Sequence, residues 1–110
     1  MARSGLVLAV VFTGAAVAAP ETYHSLEAAV LARPDCKFKT LGESLEYRCE
    51  SDKTIWYFTR KSSAAHPAVL EFYFVDTPKG GEVKVQAWSA HQDSPAFQKW
   101  RAALVARNSK

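Results

Sequence analysis

Through most of the middle of the chain, apolar and polar residues trade places at every second position. From Cys36 to Glu50, Cys36, Phe38 and Thr40 alternate with Lys37 and Lys39, and Leu45, Tyr47 and Cys49 alternate with Ser44, Glu46, Arg48 and Glu50. A period of two with one polar face predicts a half-buried antiparallel hairpin. With Gly42 and Glu43 as a two-residue turn, the register sets Phe38 against Tyr47, Lys39 against Glu46, and Cys36 against Cys49. The cysteines then occupy a non-hydrogen-bonded pair, where Cα atoms approach most closely, so a Cys36–Cys49 disulfide is expected.

The alternation changes character at Thr54–Thr59. Ile55 and Tyr57 point one way and Trp56 and Phe58 the other, so neither face is polar, which predicts a central strand covered on at least part of both sides. A basic, small-residue loop from Arg60 to Pro67 leads to a second strand, Ala68–Val75. In it Leu70, Phe72 and Phe74 share one face, and Val69, Glu71, Tyr73 and Val75 the other. Pro78-Lys79-Gly80-Gly81 reads as a turn. Glu82–Ser89 then alternates with Val83, Val85 and Ala87 inward and Lys84, Gln86 and Trp88 outward.

Helical spacing is found only at the two ends. Tyr23, Leu26 and Val30 make one apolar stripe over Thr22–Arg33, and Pro34 disfavours helical geometry at Arg33. Ser94-Pro95 is a helix start, serine as cap and proline at the first position, followed by the stripe Phe97, Trp100 and Leu104. The predicted fold is therefore α+β: an antiparallel meander of about five strands, with the N- and C-terminal helices packed on one face.

The residues before the first helix change the cellular picture. Arg3, the apolar run Leu6–Phe12 and the small residues Gly14–Ala19 have the layout of a secretory signal peptide over 1–18, leaving a single domain over 19–110. The apolar run is shorter than the ~20 residues that span a bilayer, so no membrane span is expected after cleavage. The expected location is periplasmic or secreted, a compartment that permits the disulfide. Without residues 1–18, thirteen basic side chains face eleven acidic ones in interspersed order. That is not the concentrated basic stripe of a nucleic-acid binder, so no nucleic-acid partner is expected.

Candidate chemistry is sparse. His24, His66 and His91 stand far apart, without the converging spacing of a metal site, and no metal or other cofactor is expected. Ser62 and Ser63 lie near His66, but no glycines frame them as a nucleophile elbow. Glu71, set among Phe72, Tyr73 and Phe74, is an acid whose pKa such surroundings would raise. The outward aromatics say more. Trp88 and Tyr73, with Trp56 or Tyr57, are candidates for a recognition surface edged by Arg60, Lys61 and His66, because rigid rings supply contact area at low entropic cost.

Trp56-Tyr57-Phe58-Thr59 followed by Ala65-His66-Pro67-Ala68-Val69 resembles a pattern of small uncharacterised secreted proteins of Gram-negative bacteria. The resemblance covers about a fifth of the chain. It implies a periplasmic or exported setting and transfers no catalytic residue. The expected function is that of a binding module for an envelope protein or a cell-wall or small-molecule ligand. The alternatives are a small periplasmic hydrolase built on the Arg60–Pro67 loop with His66, or a structural envelope protein.

Overall fold

Five strands follow one another across a single antiparallel sheet in the order of the chain: β1 (Cys36–Leu41), β2 (Ser44–Cys49), β3 (Thr54–Thr59), β4 (Ala68–Thr77) and β5 (Gly80–Ser89). A helix precedes them, α1 (Pro20–Leu31), and another follows, α2 (Pro95–Arg107). The computed structural model describes residues 20–109, and the signal peptide expected over 1–18 lies outside them.

The first hairpin has the expected register, with Cys36 opposite Cys49, Phe38 opposite Tyr47 and Lys39 opposite Glu46. Its turn begins at Gly42, whose φ of +57° is one that L side chains rarely adopt. The cysteines are joined, with Cα atoms 3.9 Å apart. Beside the disulfide, Arg33 donates to Asp35 and Asp52, each at 3.0 Å, and fastens the chain after α1 to the β2–β3 turn. Asp35 also accepts the Ser51 backbone N–H. The guanidinium and that amide hold its carboxyl well below the usual range.

The helices do not share a face. Tyr23 and Val30 of α1, with half-buried Leu26, pack against Tyr47, Cys49, Phe58 and Val69. Leu104 of α2, with half-buried Trp100 and Val105, packs against Tyr57, Leu70 and Phe72. Phe58 and Tyr57 are neighbours in β3, so these clusters lie on opposite sides of the sheet. The physical reason is β3 itself. Its Tyr57 and Phe58 are both completely buried, and each needs its own cover. Two helices on one side would leave one of the rings in water.

Helix ends also differ from the expected ones. α1 stops at Leu31, three residues short of Pro34, with a turn closed by the Arg33 N–H on Val30 O. α2 starts as its sequence indicates: Ser94 Oγ accepts the Phe97 N–H at 3.1 Å, and Pro95 occupies the first turn.

The largest departure is in the β4–β5 hairpin. It turns on Pro78–Lys79 alone, and its strands run ten residues each against six for β1, β2 and β3. Pairing of β3 with β4 covers only Val69–Phe72, so the far half of the hairpin projects beyond the sheet. There the residues expected to point into the core lie in solvent: Val83 is 60% exposed, Phe74 44% and Val85 38%. Period two gives the face of a strand correctly, but whether that face is covered depends on how far α2 reaches.

Candidate binding face

Three rings stand in a ladder on the α1 side of the sheet. Trp56 is stacked between Phe58 at 6.2 Å and Trp88 at 5.9 Å, with ring planes within 17° and 13° of parallel. The register explains the ladder. Phe58 and Trp88 each face Val69 from opposite sides of β4, and Trp56 faces Glu71, so side chains of β3 and β5 meet over the strand between them. Trp88 lies on the face opposite Val83, Val85 and Ala87, as its alternation predicts, but α1 covers that face, and Trp88 is half-buried and packed against the cluster that α1 closes. Trp56 Nε1 is buried and has no hydrogen-bond partner among the described residues.

The other sequence candidates divide. Tyr73 lies on the α1 side with Trp56 and Trp88 but is buried rather than exposed. Tyr57 is on the α2 side and completely buried, so it belongs to the core and joins no surface patch. Arg60 is exposed and donates to Gly42 O, while its backbone N–H donates to Glu43 O, which ties the loop to the β1–β2 turn. Lys61 is exposed. His66 is half-buried, its Nδ1 at 2.9 Å from Thr59 Oγ1 and its ring 5.0 Å from that of Tyr23.

The loop holding His66 is organised for packing. Tyr23 Oη donates to Thr59 O at 2.6 Å, drawing α1 onto the end of β3. Burial, followed by the nearby Glu27 and Tyr47, pushes the Tyr23 phenol up to about 12. The Ser63 hydroxyl accepts the Ala65 N–H at 3.1 Å, and Ser63 O accepts the His66 N–H. Ser63 thus shapes the loop, and His66 Nδ1 faces a threonine rather than a carboxylate. Next to this junction, between Thr22, Ala68 and Trp88, is a cleft of about 10 Å³, with room for about one water.

The α2 side carries a polar cluster that sequence reasoning missed. Glu46 is nearly inaccessible, and its Oε2 accepts the Tyr57 hydroxyl at 2.7 Å. Arg48 donates to Oε1 at 3.2 Å, and Arg107 approaches Oε2 at 3.8 Å. Asn108 then donates to the Tyr57 hydroxyl at 3.1 Å and to Leu104 O at 2.9 Å, closing the end of α2. Burial raises the Tyr57 phenol above its ordinary value, and the Glu46 carboxylate adds to this while the Asn108 amide opposes it. Near the middle of the helix, Trp100 Nε1 donates to Ser44 Oγ at 2.9 Å. Among the described residues no group of three or more His, Cys, Asp or Glu side chains is placed to hold a metal, and no helix is long and apolar enough to cross a membrane.

Comparison with known proteins gives no match to this chain among family models, curated proteins or solved structures.

Proposed function

We propose that the protein is an exported binding module of the periplasm and that it recognises its ligand at the Trp56–Trp88 ladder. The observation that carries this reading is the Trp56 indole N–H, buried beside a half-exposed Trp88 and without an acceptor among the described residues. A buried donor is nearly always satisfied, and leaving one unmet costs about 1–3 kcal/mol. A ligand that lays an apolar face on Trp88 and offers an oxygen to Trp56 would meet the demand. Envelope proteins and cell-wall or small-molecule ligands include groups of that kind.

The exported setting is supported by the signal-like layout of residues 1–18, by the resemblance to small secreted proteins, and by a disulfide, a bond that persists in oxidising compartments. The hydrolase alternative has less support. Ser63 is buried and bonded within its loop, and His66 is bonded to Thr59.

The test is capture of ligands from a periplasmic extract on the native protein and on Trp88→Ala. Capture should fail with the variant, while its loss of stability stays below the ~3–5 kcal/mol typical of truncating a fully buried tryptophan. Undiminished capture, or destabilisation of that full size, would return Trp88 to a purely structural role.

A further inference from the structure

The outer edge of β5 is unoccupied by any described strand, and its residues are arranged to fit a second copy of themselves. The orientation of its backbone can be read from β4. Ala68 N–H donates to Thr59 Oγ1 on β3, so even-numbered residues of β4 turn their backbone groups toward β3 and odd-numbered ones toward β5. Val69 faces Trp88 and Tyr73 faces Lys84, so the even-numbered residues of β5 bond inward. Gly81, Val83 and Val85 therefore present their N–H and C=O groups outward. A ten-residue strand with such an edge is a template for pairing unless something blunts it. Its exposed half has no proline, and its only charged residues are Glu82 and Lys84.

Those two charges select a register. Antiparallel pairing of two β5 strands about a two-fold axis at Val83 sets Glu82 opposite the second copy's Lys84, and the reverse, in a non-hydrogen-bonded position where side chains come closest. The Glu82–Lys84 ion pair within each strand, 3.2 Å long, would then become one side of a four-charge square. Shifting the axis to Lys84 would instead oppose the two lysines, an unfavourable arrangement.

The apolar side agrees with the same register. Gly81 has no side chain, and a Cβ there would collide with the Phe74 ring, which lies over it. With the axis at Val83, Gly81 receives the second copy's Val85, which comes to rest beside that ring. Val83 meets Val83. The exposed Phe74, Val83 and Val85 of both copies are covered together.

We infer that the protein forms a two-fold dimer by pairing β5 with β5 about Val83, making one ten-stranded sheet. The contact is isologous, as in most homodimers. It uses neither face of the Trp56–Trp88 ladder and so stands apart from ligand recognition.

Sedimentation equilibrium across a dilution series, on the disulfide-bonded protein produced from its full-length coding sequence, tests this. The native protein should show a concentration-dependent dimer. Val83→Pro removes an N–H that points away from β4, so its circular dichroism should be unchanged and dimerisation lost. Lys84→Glu places four carboxylates in the square and should weaken association by about tenfold. The exchange Glu82→Lys with Lys84→Glu should restore it, because opposite charges face each other again. A native protein that stays monomeric at every concentration overturns the inference. So does a dimer that survives Val83→Pro, and an exchange variant as weak as Lys84→Glu overturns the register.

Discussion

On the α1 face the rings of Tyr23, Tyr47, Phe58, Trp56 and Trp88 meet edge-on or stacked, while on the α2 face Tyr57 spends its hydroxyl on a buried carboxylate. Both helices are short and neither would be stable alone, so each depends on what it finds on the sheet. The α1 side is held mainly by apolar area, which tolerates small shifts because dispersion and hydrophobic contact are not directional. The α2 side depends on a network in which Glu46, Tyr57, Asn108 and two arginines must all be in place, because a half-satisfied buried carboxylate is worse than none. One face is forgiving in geometry and the other is exacting.

Truncation on the α1 face separates the two most sharply. Phe58 is completely buried and touches the rings of Tyr23, Tyr47 and Trp56. Phe58→Ala should cost about 3–5 kcal/mol, measured by urea unfolding, and release α1 from the sheet. A cost near that of an exposed position would mean that α1 does not depend on this ring.

The complementary change on the α2 face removes one atom. Tyr57→Phe preserves the ring but takes the donor from Glu46 and the acceptor from Asn108. It should cost about 1–3 kcal/mol and raise amide exchange in the last turn of α2, leaving exchange in α1 unchanged. Equal loosening of both helices would show that the faces are coupled rather than independent.

The smallest effect concerns alkaline pH. The Tyr23 phenol titrates near 12 in the folded protein against an ordinary value of 10.0. Its neutral form is therefore favoured by folding, and that contribution is fully present below about 10 and lost as pH rises through 12. Tyr57 and Tyr47 shift in the same direction, so thermal stability should fall over this window. In Tyr23→Phe the fall should be shallower. An identical pH profile would show that Tyr23 contributes nothing to it.

Much of this arrangement was legible from residues alone. Alternation gave the five strands, the Cys36–Cys49 register and the central place of β3, because period two is a local property. The two-sided apolar character of Thr54–Thr59 already indicated cover on at least part of both sides, yet nothing in either helix states which side it takes. Glu46 was unreadable for the same reason. It stands on the polar side of its hairpin, and only the arrival of α2 turns that side into an interior. Val83, Val85 and Phe74 show the converse: residues of core character that no helix is long enough to reach.

Every ladder in the sheet joins strands that are adjacent in the chain, and this has a consequence for how the molecule is made. Nearest-neighbour hairpins close small loops, so the sheet has low contact order and can form quickly, strand by strand. The contacts that close the α2 face are of another kind: Trp100 to Ser44 spans 56 residues and Asn108 to Tyr57 spans 51. A chain that lacks α2 can thus complete its hairpins and its disulfide while Glu46 is still hydrated. Commitment to the native state waits for α2 and Asn108, and loss of the last turn of α2 alone should leave a β-rich species that has not finished folding.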